Sequence, residues 1–144
     1  WATGFIFGWA KPVPVNQRNL RQPRRDMMLV SLAGPMANLL MATGWAGLLA
    51  MVRASPGLFA GAVTFLASMA IFGILINILL ALFNLLPIPP LDGGRVLREL
   101  VPEWLGRRLD SMERYGLIIV LLLLWIGALA PLFAAVNAIA GWLM

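Results

Sequence analysis

Apolar residues gather into three long blocks, separated by short clusters rich in proline, glycine and arginine. The first block runs from about residue 27 to 52, broken only by Ser31, Asn38, Thr43 and glycines. The second runs from about 59 to 86 with Asn77 and Asn84 as its amides, and the third from about 115 to 143 with Pro131 near its middle. A helix needs roughly 20 apolar residues to cross a hydrocarbon core about 30 Å thick, and each block exceeds that. The pattern predicts an all-α fold, a polytopic transmembrane helical bundle of three full spans, with a kink at Pro131 in the last. Residues 1–9 form an apolar stub too short to cross, which reads as a partial span of a longer chain.

The separators carry their own signals. Lys11-Pro12-Val13-Pro14-Val15-Asn16 alternates prolines with valines and predicts a short extended segment. Asp26 is placed to cap the first helix, and Arg53-Ala54-Ser55-Pro56-Gly57 predicts a turn. Pro87, Pro89 and Pro90 should end the second helix, because each lacks an N–H and disfavours helix in the residue before it. Residues 92–114 hold five acids and five bases and predict an amphipathic helical stretch at the membrane surface.

Composition supports a membrane domain. With 61% hydrophobic and 12% charged residues, the 144-residue chain lies far from the soluble norm of about 45–50% apolar and 25% charged. It has room for one membrane-embedded domain. A net charge of +5 could suggest nucleic acid, but the bases sit in two connectors. Lys11, Arg18, Arg21, Arg24 and Arg25 occupy one, Arg95, Arg98, Arg107, Arg108 and Arg114 the other, and Arg53 alone lies between the first two blocks. Ten of eleven positive charges therefore fall on one side of an alternating topology, the positive-inside signature. This places the basic loops and Asp92 on the cytoplasmic side of a multi-pass plasma-membrane protein in contact with the bilayer, and gives no reason to expect nucleic acid as a partner.

Asp92 stands at the mouth of the second block, beyond three prolines. An acid there is costly unless it faces a polar cavity, a partner or an ion. One reading is structural: Asp caps a helix and Gly93-Gly94 supplies a tight turn. The other is a metal or cation ligand held rigidly at the boundary, with Asn84 at the end of the span as a donor to a reacting carbonyl oxygen. Asn77, seven residues before Asn84, shares its face and suits interhelical hydrogen bonding. Asn38, near Gly34-Pro35, suits packing. The chain has no His and no Cys. A Ser–His site is therefore incomplete, as is an aspartyl pair with one acid near a span, and a zinc hydrolase needs three protein ligands where Asp92 supplies one. A transporter or channel with Asp92, Asn84 and Asn77 along a cation path stays open at this point.

Gly34-Pro35-x-x-Asn38, then Asn84-x-x-Pro87-x-Pro89-x-x-Asp92-Gly93, with residues 8–16 upstream, resembles the site-2 protease family of intramembrane zinc metalloproteases, in its compact prokaryotic form without a PDZ domain. The resemblance implies a zinc-dependent endopeptidase that cleaves transmembrane segments of membrane proteins. In that family an H-E-x-x-H helix supplies two His ligands and a Glu base. Asp92 matches the remaining zinc ligand, Asn84 the asparagine that steadies the oxyanion, and residues 11–16 the region that guides an unwound substrate. H-E-x-x-H is absent here, so the resemblance implies an N-terminally truncated fragment, inactive by itself, or a non-catalytic homologue.

Overall fold

The computed structural model of the protein describes residues 22–144. The stub at 1–9, the extended segment at 11–16 and the bases Arg18 and Arg21 lie outside the described residues. Six α-helices follow one another: α1 (Pro23–Ala54), α2 (Val63–Asn84), α3 (Asp92–Leu100), α4 (Glu103–Met112), α5 (Gly116–Trp125) and α6 (Ala130–Leu143). Short 3-10 turns at Pro56–Phe59 and Glu113–Tyr115 lead into α2 and α5. There is no strand among the described residues.

α1 begins four residues earlier than the apolar pattern alone suggests. Pro23 takes the first turn, where its missing N–H is harmless. Asp26 does not cap from outside; its Oδ2 accepts the Gln22 backbone N–H at 3.1 Å from within the first turn. The helix continues through Pro35, which is fully buried. α2 starts at Val63, after the 3-10 turn and a glycine, Gly61, whose φ of +83° requires a residue without Cβ. It ends at Asn84, two residues before the expected limit, as the prolines approach.

α1 and α2 form a tight antiparallel pair. Small residues allow this: a Cβ on Gly73 would run into the Trp45 ring, and Ala42 and Ala70 are wholly buried. Leu49, Ile74 and Ile78 fill the space between them, and Val136 and Ala140 of α6 close the same core. Large apolar side chains face outward, Phe65, Phe72 and Leu40 among them, as a helix pair in lipid requires. α1 and α2 are each long and apolar enough to cross a membrane.

The third apolar block is interrupted. The helical run Glu103–Trp125 and α6 are bent by 79° at the break between them, so the block counts as a third crossing only if this bent pair is one span. The bend corrects the expected kink at Pro131. Gly127, with φ of +73°, makes the turn, and Pro131 lies in the first turn of α6, where it starts a helix instead of bending one. Beyond the bend α6 runs beside α2, sharing a groove with Phe72, Ile76 and Leu79 through Phe133, Val136 and Asn137. The Arg53 guanidinium donates to the Met144 carbonyl, so α6 ends at the far end of α1 from α3 and α4.

Candidate functional site

The chain leaves α2 at Asn84 and reaches α3 at Asp92 through a crossing stiffened by Pro87, Pro89 and Pro90. Within it the Ile88 N–H donates to the Leu86 carbonyl at 2.7 Å, and the Leu91 N–H to the Ile88 carbonyl at 2.9 Å. Glycines let other elements press directly on this backbone. A Cβ on Gly93 would collide with the carbonyls of Leu85 and Leu86, one on Gly94 with the backbone of Ile88 and Pro89, and one on Gly116 with Pro89 and Pro90. The expected role of Gly93-Gly94 as a turn is thereby corrected. Both residues are helical and buried, and they are small because α3 lies against the crossing.

Asp92 is the first residue of α3, not its cap. Leu91 holds the cap position with extended backbone, and no side chain caps the helix. A carboxylate in a first turn is favoured by the helix dipole, yet Asp92 enters no side-chain hydrogen bond or ion pair among the described residues. Its Oδ2 instead lies against α1: a Cβ built on Gly34 would stand 3.1 Å from that oxygen. Gly34 therefore leaves room for the carboxylate on an exposed stretch of α1. The structure thus brings Asp92 to the Gly34-Pro35 turn of α1. It brings the ends of α2 and α3 together through Leu85 and Gly93, the neighbours of Asn84 and Asp92.

Asn84 is the last residue of α2 and half-buried, with no side-chain hydrogen bond among the described residues. Asn38 lies one turn beyond Gly34 on the same side of α1 and is also half-buried. Asn77 departs from expectation. It is buried, and its Nδ2 donates to the Gly73 carbonyl of its own helix at 2.8 Å instead of reaching a neighbouring helix. With its amide turned inward, Asn77 does not continue a line of open polar groups from Asp92, as a cation path would need.

Arg98, two turns along α3, carries most of the charge contacts. Its guanidinium meets Asp110 of α4 at 3.3 Å, Glu103 at 3.4 Å and Glu99 at 3.5 Å, while Glu103 also meets Arg24 of α1 at 3.7 Å. The hydrogen bond to Asp110 raises the Arg98 pKa above its ordinary value against the opposing effect of partial burial. The network joins α1, α3 and α4 on the side of the crossing that carries the bases. Behind the crossing lies a cavity of about 330 Å³, lined by Ser31, Pro89, Pro90, Arg98, Glu99 and Glu113 among others. Arg98 escapes sequence reasoning because its partner Asp110 is twelve residues away and meets it only when the chain folds back at Pro102. Gly34 had a signal, the Gly-Pro pair inside an apolar helix, but no pattern in the sequence says that an acid fills the space.

As for a metal, Asp92 offers one carboxylate free of structural duty, an oxygen donor that suits zinc. No group of three or more His, Cys, Asp or Glu side chains able to hold a metal occurs among the described residues. These residues fit one position of such a site and leave the others to be filled from elsewhere.

A model of peptidase family M50 matches residues 45–127, more than half of the chain, including the crossing and Asp92. A Bacillus subtilis protein provisionally named zinc metalloprotease YwhC is 42% identical over 118 residues, which make up 81% of this chain and 54% of that protein. A Methanocaldococcus jannaschii protein with the same kind of provisional name, MJ0611, is 41% identical over 69 residues, 48% of this chain and 32% of that protein. The chain thus spans about half the length of the first relative and a third of the second. No solved structure matches it.

Proposed function

This chain belongs to peptidase family M50, and from that premise we propose that it forms part of a zinc-dependent intramembrane endopeptidase acting on transmembrane segments of membrane proteins. The observation that carries the reading is Asp92. It opens a helix it does not cap, pairs with nothing among the described residues, and lies against a glycine on the neighbouring helix. Such a carboxylate has no structural work to explain it at a membrane boundary, where acids are expensive.

Asp92 would be a zinc ligand, the others coming from outside these residues. Bound there, zinc would lower the pKa of a water and polarise the scissile carbonyl. The chain's own residues would do the positioning. The glycine-pinned crossing fixes Asp92, and Gly34 keeps α1 from displacing it. Asn84 would donate its amide N–H to the carbonyl oxygen as negative charge develops there. A transmembrane substrate has to lose its helical hydrogen bonds before a carbonyl can enter such a site, which requires a polar, water-accessible setting. A boundary position on the cytoplasmic side, which the distribution of basic residues favours for Asp92, would supply water.

The test uses the full-length protein. Asp92→Ala should lose bound zinc, measured by elemental analysis, and cleavage of a transmembrane substrate in detergent or vesicles. Asn84→Ala should keep zinc and lower kcat by about 10²–10³. Zinc content and turnover unchanged in Asp92→Ala would refute the assignment.

A further inference from the structure

One face of α4, continued by the 3-10 turn after it, takes no part in the ion pairs around Arg98. At about 100° per residue, Trp104, Arg107, Arg108, Ser111 and Tyr115 fall within about 60° of a common line, with Arg114 beside them. All six are exposed. No acid falls among the first five, and the two at the edge beside Arg114, Glu103 and Asp110, are engaged by Arg98. Glu99, Glu103 and Asp110 bind Arg98, and Glu113 lies on the opposite side, against the cavity. Arg107, Arg108 and Arg114 have no carboxylate partner among the described residues. The Arg108 guanidinium lies 5.8 Å from the centre of the Trp104 ring, and that of Arg114 5.7 Å from the Tyr115 ring. The segment is balanced in charge as sequence, but the fold sorts its signs, with Glu99, Glu103 and Asp110 gathered around Arg98 and Arg108 and Arg114 turned onto aromatic rings.

Orientation gives this face its partner. The run Glu103–Trp125 turns 79° from α6, and α6 runs beside α2, so the run leans toward the plane of the bilayer instead of following the spans. α4 is about 15 Å long. Laid over in this way, its whole length stays within one headgroup layer, which is roughly 5–8 Å deep on each side of the hydrocarbon core.

We propose that this face of α4 binds the headgroups of anionic phospholipids. The three arginines donate to phosphate oxygens, to which their planar guanidinium groups are matched. Trp104 and Tyr115 anchor the helix at the boundary where amphipathic rings settle. The entirely apolar α5 carries on the same run from Tyr115, with exposed Leu117, Ile118, Leu121 and Leu122 to meet the acyl chains beneath the headgroups. The inference goes beyond the peptidase reading and does not rest on it. It does have a bearing on the site, since α4 holds Arg98 of α3 through Glu103 and Asp110.

The experiment reads the depth of α4 directly. The 144 residues contain no cysteine, so Ser111→Cys allows a fluorophore to be placed at the centre of the face. The full chain is reconstituted in phosphatidylcholine vesicles with a rising fraction of phosphatidylglycerol and a constant trace of headgroup-labelled quencher lipid. Quenching should rise with the phosphatidylglycerol fraction and weaken in high salt. That dependence should be lost with Gln at positions 107, 108 and 114 together and kept with Lys at the same positions. Quenching that ignores the anionic fraction, or that is unchanged by the Gln substitutions, overturns the proposal. A label that stays unquenched in every vesicle also overturns it and leaves the face to a soluble acidic partner.

Discussion

Two interruptions of apolar helices divide this molecule, and they were built differently. The crossing between α2 and α3 holds three prolines and is pressed from two sides by backbone, through Gly93 and Gly94 of α3 and Gly116 of α5. The break between α5 and α6 holds none. It turns on Gly127, where a Cβ would meet nothing within 4 Å, and it leaves Trp125 85% exposed. Proline content and close packing go together in these two interruptions. What distinguishes them is the contacts around the backbone: one segment is clamped and presents an acid, the other turns in open space.

The largest effect should come from filling the clamp. Gly93→Ala places a methyl group into the carbonyls of Leu85 and Leu86, neither of which can swing away like a side chain. Overpacking of this kind costs about 1–3 kcal/mol, and thermal unfolding in detergent should find this variant least stable, with zinc binding lost as α3 is displaced. If Gly93→Ala melts with the parent, the clamp is looser than these contacts indicate.

Next come two changes that separate positioning from stability. With the metal stripped from both proteins, Asp92→Ala should leave the melting temperature almost unmoved, because Asp92 caps nothing, whereas a capping Asp would cost about 1 kcal/mol. A drop of that size would restore the structural reading of the motif. Gly34→Ala adds a methyl group 3.1 Å from the Asp92 oxygen, which should push the carboxylate by a few tenths of an ångström. Zinc affinity or turnover should then fall on the order of ten-fold with little change in melting, since misplacements of an ångström cost up to about a hundred-fold.

The smallest effects on the site belong to the open break, where substitutions should act on stability alone. Gly127→Ala forces a side chain into the left-handed region at a cost of about 1–2 kcal/mol. Pro131→Ala should cost under about 1 kcal/mol, since the proline only pre-sets the first turn of α6. Equal costs at the two positions would mean that Pro131 shares in the bend.

The three apolar blocks and the end of α2 before its prolines could be read from the sequence, because span length and missing N–H groups act locally; the turn expected at Arg53 to Gly57 comes two residues later, since α1 runs to Ala54 and a 3-10 turn spans Pro56–Phe59. The residue that bends the third block could not, since a proline signals either a kink or a helix start and only its register in α6 decides. Asp92 and Asn84 could be singled out by their cost in an apolar setting. The place of Asp92 against Gly34 depends on how α1 packs against α3, which no local pattern encodes. Asn77 misleads for the same reason: its spacing from Asn84 suggested a shared neighbour, but a buried amide is satisfied as well by the carbonyl one turn back.

Gly93, Gly94 and Gly116 work by main-chain contact and Gly34 leaves room for the carboxylate itself, so the acid at the mouth of α2 is positioned by close backbone packing. A site aimed in this way tolerates drift. Under the proposed role of Asp92, residues farther along the approach could be exchanged without moving the carboxylate, and selectivity could diverge while the ligand's position stays fixed.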